Sequence, residues 1–151
     1  MIAKNSMMIL SNTKCLLDSN ILIAVVNPKS ENHKRAKDFL EESQGHNLQF
    51  VVSSQNFLET STVLVHGLKI PRRDVSKSIR VVLEDPLFTP IYPNVEALKR
   101  FFTLIADNAV VHLTDLFLAA TALAYGITTI ATNDRDFEKI KGIKVYNPFA
   151  S

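Results

Sequence analysis

The chain has 151 residues, 46% hydrophobic and 21% charged, with a formal net charge of +2. That composition excludes a disordered chain, and the length is enough for one domain with its own core. So small a net charge does not mark a nucleic-acid binder by itself, although gathering carboxylates into one pocket would leave the remaining surface more basic than the total.

Residues 1–12 read as a flexible N-terminal tail and 13–151 as a single domain. The tail carries the apolar patch Met7-Met8-Ile9-Leu10, too short for a secretory signal and without a small-residue cleavage site. A start of translation at Met7 or Met8 is compatible with it. Nowhere is an apolar stretch long enough to span a bilayer. Cys15 is the only cysteine, so no internal disulfide can form, and a reducing cytoplasm is the expected location. Cys15 falls in the first predicted strand, 15–18, where it reads as a small core residue.

A short helix is expected over 21–26 and an amphipathic one over 31–43, with Ala36, Phe39 and Leu40 on one face. A second strand follows over 48–53, then a helix over 55–66 capped by Ser53 or Ser54. Residues 72–84 read as a helix, 88–92 as a strand, and 95–106 as a helix with Leu98, Phe101, Phe102 and Ile105 inward. The helix over 116–125 is apolar enough to be buried on more than one side. A strand over 128–132, a short helix over 137–141 and a strand over 144–146 complete the chain. Gly45, Gly67, Gly126 and Gly142 each stand where a helix should stop, suggesting left-handed C-terminal caps. Short apolar strands alternating with helices predict an α/β fold, a central mostly parallel sheet of about five strands covered on both faces.

Four carboxylates fall at element boundaries. Asp18 ends the first strand, Glu59 lies in the helix after the second, Asp115 opens the apolar helix, and Asp134 follows the strand ending at Thr132. A parallel sheet binds ligands beyond the carboxyl ends of its strands, and a buried unpaired carboxylate is costly. Convergence of the four would make a negative pocket that a cation relieves. Each acid also has a plainer explanation: Asp18 as a helix cap, Glu59 as a surface glutamate, Asp115 as a charge favoured at a helix N-terminus, Asp134 as a turn residue. Asp136 reads as a supporting or capping residue, and Arg135 as a partial neutraliser of the acids around it. His33, His46, His66 and His112 show no zinc-like spacing. The basic segments 33–37 and 72–80 could rim a cleft or simply be solvated helix faces.

Leu17-Asp18-Ser19-Asn20-Ile21-Leu22-Ile23, Ser54 through Glu59, Asp115 through Ala122 with Gly126, Thr132-Asn133-Asp134-Arg135-Asp136-Phe137, and Gly142 through Pro148 occur in this order. Together they resemble the PIN-domain ribonucleases, and more narrowly toxins of the VapC type. The resemblance implies a PIN-like (Rossmann-like) α/β/α sandwich. It implies that Asp18, Glu59, Asp115 and Asp134 are catalytic and hold Mg²⁺ or Mn²⁺, with Asn20 and Thr132 in support. It further implies endonucleolytic hydrolysis of RNA phosphodiester bonds leaving a 5′-phosphate and a 3′-hydroxyl, a homodimer, and a small antitoxin partner of a toxin–antitoxin system. Ser19, where the family often has threonine, is an innocuous departure. The alternatives are an RNA-processing nuclease with no antitoxin, and a PIN-like module that binds RNA or protein without cutting.

Overall fold

The computed structural model describes Leu10 and residues 12–150. Five strands form one sheet: β1 (Lys14–Leu17), β2 (Gln49–Ser53), β3 (Phe88–Ile91), β4 (Thr129–Ala131) and β5 (Lys144–Tyr146). They lie in the order β3-β2-β1-β4-β5, and every pairing is parallel. Six α-helices connect them: α1 (Ser19–Val26), α2 (His33–Gln44), α3 (Ser54–Thr62), α4 (Arg72–Glu84), α5 (Val95–Asp107) and α6 (Leu113–Ala124). The chain winds outward from β1 to β3, then returns to the other side of β1 to lay down β4 and β5. The connections after β1 and β4 therefore leave in opposite directions, which opens a crevice at the carboxyl ends of these two strands.

Alternation along the strands divides the core. Cys15, Leu17, Phe50, Val52 and Ala131 face a layer built by α1 and α2, with Ile21, Leu22, Phe39 and Leu40 buried against them. Leu16, Val51 and Ile130 face the other way, onto Leu116, Ala119 and Ala122 of α6 and onto Phe137. The result is an α/β/α sandwich. Phe39 meets Phe50 edge-on at 5.2 Å between ring centroids and stacks on Tyr146 at 5.4 Å, fixing α2 over the sheet. Among the described residues no helix is long and apolar enough to cross a membrane.

Caps set several boundaries. Ser53 caps α3 and forms a reciprocal box with Asn56, whose Oδ1 accepts from the Ser53 amide at 3.2 Å. Asn94 caps α5, its Oδ1 accepting from the Ala97 amide at 2.9 Å. Asn94→Ala is expected to cost about 1 kcal/mol of stability, read as a lower urea midpoint at unchanged slope.

The structure departs from the sequence reading in five places. Gly126 and Gly142 are left-handed, at φ +71 and +89, but Gly45 is right-handed at φ −71 and Gly67 closes a wide π-helical turn over Val63–Gly67. In place of the helix over 137–141 there is a 3₁₀ turn over Arg135–Lys139, started early because the Asp134 side chain accepts from the Asp136 amide at 2.9 Å. Helix α6 begins at Leu113, so Asp115 lies inside its first turn. Phe101 and Ile105 pack inward from α5, whereas Leu98 and Phe102 are 45% and 66% exposed. Arg135 neutralises none of the four acids in an ion pair; its Nε lies 3.8 Å from Glu138.

Of the expected tail, Leu10 is buried against the α2 side of the core. The Asn12 amide donates to the His46 carbonyl at 3.1 Å, and Asn47 Nδ2 donates to Asn12 Oδ1 at 2.9 Å. Met1–Ile9, and with them the alternative start at Met7 or Met8, lie outside the described residues.

Candidate active site

Asp18 stands at the switch point itself. β1 carries it to the sheet edge, where its amide donates to the Ala131 carbonyl of β4 at 3.0 Å. Its carboxylate is buried yet fully hydrogen-bonded. Oδ1 accepts from the Ser19 amide at 2.7 Å and faces the Ser19 hydroxyl at 3.4 Å. Oδ2 accepts from Asn20 Nδ2 at 3.1 Å and from the Thr132 hydroxyl at 2.8 Å. The same Thr132 oxygen accepts from Asn20 Nδ2 at 2.9 Å and from the Asp134 amide at 3.0 Å. Asn20 and Thr132 thus stitch the end of β1 to the end of β4 and set Asp134 beside Asp18. The cap explanation for Asp18 holds as well, since the residue starts α1.

Glu59 arrives from the second turn of α3. Ser19 Oγ donates to its Oε2 at 3.1 Å, and Gln55 Nε2 to its Oε1 at 2.9 Å. Asp115, half-buried on α6, completes the group. Burial, then the negative charges of Asp18 and Asp134, push its carboxyl up to about 6; His112 opposes this and Glu59 adds to it. Asp18 is raised as well, first by burial and also by the Glu59 charge, against the lowering effect of the Thr132 and Ser19 bonds. Asp115 is therefore in the electrostatic field of Asp18, Asp134 and Glu59, and Asp18 in that of Glu59. Asp136 lies apart from them: Lys139 bonds it at 2.6 Å and holds its carboxyl below the usual range.

Among the described residues none of the four acids makes an ion pair, and no three acidic, histidine or cysteine side chains form a ready-made chelate. Hard oxygen donors in such an open arrangement suit a cation like Mg²⁺, which keeps much of its water and takes only one or two carboxylates directly. The chemistry of the carboxylates fits such an ion, for which Asp18, Asp115, Asp134 and Glu59 would be the candidate donors.

Two contributors were not legible as such. Gln55 Nε2 also donates to the Thr114 carbonyl at 2.8 Å, tying α3 to the start of α6 immediately before Asp115. Its position one helical turn before Glu59 was the available signal. Ser19, which reads as an innocuous substitution, bridges Asp18 and Glu59. Elsewhere, His33 Nδ1 lies 2.7 Å from the Ala24 carbonyl and joins α2 to α1.

The family model described as PIN domain matches residues 15–143. No curated protein sequence matches the chain. Among solved structures, VapBC2 from Rickettsia felis bound to a promoter DNA fragment superposes with TM-score 0.73 at 17% identity, over 89% of this chain and 98% of that one. A toxin–antitoxin complex from Klebsiella pneumoniae gives 0.65 at 24% identity, over 89% and 98%. Mycobacterium tuberculosis VapC20, a toxin that cleaves the sarcin–ricin loop, gives 0.67 at 15% identity, over 83% and 93%. With 129 consecutive positions under one family model and the same sandwich in these structures, the chain belongs to the PIN domain family.

Proposed function

We propose that this protein is a Mg²⁺- or Mn²⁺-dependent endoribonuclease, the toxin of a toxin–antitoxin pair acting in the cytoplasm. The observation that carries the reading is the meeting of four carboxylates from β1, α3, α6 and the β4 turn around the sheet's switch point. A bound divalent ion would supply a more acidic water and positive charge beside the phosphate oxygens. Asp18, Asp115 and Asp134 hold that ion, directly or through water. Asp18 is kept in place by Ser19, Asn20 and Thr132. Glu59 completes the shell or orients the attacking water, with Ser19 and Gln55 fixing its two oxygens. Hydrolysis leaves a 5′-phosphate and a 3′-hydroxyl. Single-stranded or looped RNA suits an open cleft, because its unpaired bases and backbone are accessible. The cleaving toxin and the toxin–antitoxin complexes among the structural neighbours support the role.

The test is a labelled RNA incubated with purified protein in Mg²⁺, in Mn²⁺ and in EDTA. Cleavage confined to the metal-containing samples is expected, with 5′-phosphate ends on the downstream fragment. RNA left intact in both metals rejects the reading. Gln55→Ala frees Glu59 from one of its two holders, and an activity loss of about tenfold or more is expected; single-turnover rates check it.

A homodimer and a small antitoxin complete the proposal. The segments 63–65 and 81–83 each divide into buried and outward residues: Leu64 and Val82 are in the core, Val63, Val81 and Leu83 are exposed. On α5, Val95, Leu98 and Phe102 share one outward stripe beside exposed Tyr92. Phe102→Asp places a charge in that stripe and is expected to halve the mass measured by light scattering. An unchanged dimer mass would move the contact to the α3–α4 face.

A further inference from the structure

Beside Thr132, at the carboxyl ends of β4 and β5, lies a pocket of about 300 Å³, within the size range of small-ligand sites. Thr132, Asn133, Arg135, Glu138, Val145 and Asn147 line it. We propose that this pocket receives one unstacked base of the RNA strand, guanine by preference, beside the phosphodiester to be cut. The proposal rests on the nuclease reading above and adds a sequence preference to it.

The pocket shares a wall with the acids. The Thr132 hydroxyl is 2.8 Å from Asp18 Oδ2, so a nucleotide reaching the acids has a neighbouring base within reach of the pocket. Its far wall is rigid. Asn147 Oδ1 accepts from the Phe149 amide at 2.9 Å, and the Asn147 carbonyl from the Ala150 amide at 3.3 Å. Arg35 Nη1, reaching across from α2, donates to the Phe149 carbonyl at 2.6 Å. This turn fixes the orientation of the Asn147 amide: its oxygen is taken, and its Nδ2 is left to donate. The lining also holds the loose Arg135–Glu138 pair at 3.8 Å, with side chains 87% and 53% exposed, which can exchange each other for a ligand at little loss. Val145, half-buried, offers an apolar patch for the flat face of a base.

The chemistry selects the ligand. Glu138 would repel a phosphate, so the pocket suits a base better than the backbone. Guanine presents two adjacent acceptors, O6 and N7, which match the fork of Arg135 and the Asn147 amide. Its N1–H and N2–H₂ donors match the Glu138 carboxylate. Cytosine has adjacent acceptors in O2 and N3 but only its N4 amino group to offer Glu138, where guanine offers the N1–H and N2–H₂ pair; uracil's two acceptors are separated by N3–H, and adenine replaces O6 by a donor. Reading an extruded base along two edges is how proteins recognise single-stranded RNA.

The experiment uses an end-labelled oligouridine carrying one central guanosine, and the same strand with adenosine, cytidine or uridine there. Cut positions and rates are measured in Mg²⁺, and affinities by fluorescence anisotropy in EDTA. Wild type is expected to cut beside the guanosine and to favour that strand by roughly 5- to 150-fold, the span of one good bidentate pair. Arg135→Ala and Asn147→Asp, the latter keeping the oxygen that holds the Phe149 turn, should still cut but lose most of the preference. Circular dichroism checks that both variants fold. Equal cutting at all four bases, or a guanosine preference that survives both variants, overturns the pocket and leaves the nuclease standing. If no strand is cut, the nuclease reading fails and anisotropy decides: guanosine-dependent binding lost in Arg135→Ala supports the pocket, and uniform binding overturns it.

Discussion

Asp18→Asn and Asp115→Asn are each expected to lower RNA cleavage by about 10³-fold or more, because a divalent ion at this centre supplies several kcal/mol of transition-state stabilisation. The two substitutions act on different surroundings, and that makes the pair informative. Asp18 accepts from Ser19, Asn20 and Thr132. An asparagine there turns one acceptor into a donor that faces Asn20 Nδ2, and the clash should cost about 1–3 kcal/mol. Removing a charge that burial already disfavours offsets part of this, so a folded but somewhat weakened protein results. Asp115 accepts no hydrogen bond from another side chain or from a loop amide among the described residues; its carboxyl meets burial and like charges. Its amide should fold at least as well as the native residue. Both variants are purified, their melting followed by circular dichroism, and cleavage measured under single-turnover conditions. Loss of activity in the well-folded Asp115→Asn cannot be ascribed to misfolding. Native rates in either variant would remove that carboxylate from the centre.

The sandwich was legible because a parallel sheet writes itself as apolar runs too short for helices, separated by helical periodicity. Two of the candidate acids stood out for a related reason: Asp18 and Asp134 interrupt the chain immediately after such runs, where a core residue would otherwise continue. What escaped was set by contacts across the chain. Helix α6 gains three residues at its start, where no side chain of His112 caps it, so sequence offers no signal for that boundary. Leu98 and Phe102 read as inward because α5 is apolar on two adjacent stripes, and periodicity does not say which stripe the sheet takes. Phe101 is fixed inward by edge-on contact with Phe117 at 5.2 Å, a partner sixteen residues away. Ser19 and Gln55 are ordinary polar residues until α3 brings Glu59 between them. The four acids meet in space, but their assignment to the reaction rests on the proposal and on the variants that test it.

The cation-free protein is expected to lose stability as pH rises from 4 to 7, and divalent metal to restore it. Asp115 has its carboxyl pushed up to about 6 against an ordinary value of 3.8, so between these values the folded state keeps a proton that the unfolded chain has released. The contribution is therefore complete below the ordinary value and is lost as pH passes through about 6. The full separation would correspond to roughly 3 kcal/mol, but Asp115 is only half-buried, and solvent screening reduces this to about 1 kcal/mol. Asp18 shifts in the same direction and adds to the slope. Asp115→Asn should flatten the profile and raise stability near pH 7 by about 1 kcal/mol. Mg²⁺ at a hundred times its dissociation constant should stabilise the native protein by about 2.7 kcal/mol, or roughly 5–10 °C in melting temperature for a chain of this size. That increment should be largest above pH 6, where Asp115 has lost its proton and can bind metal, and it should shrink in Asp115→Asn. Urea unfolding at pH 4, 5, 6 and 7, with and without Mg²⁺, measures both effects. A metal-free stability independent of pH over this range, together with no response to Mg²⁺ at pH 7, would mean that these carboxylates do not share one pocket in solution.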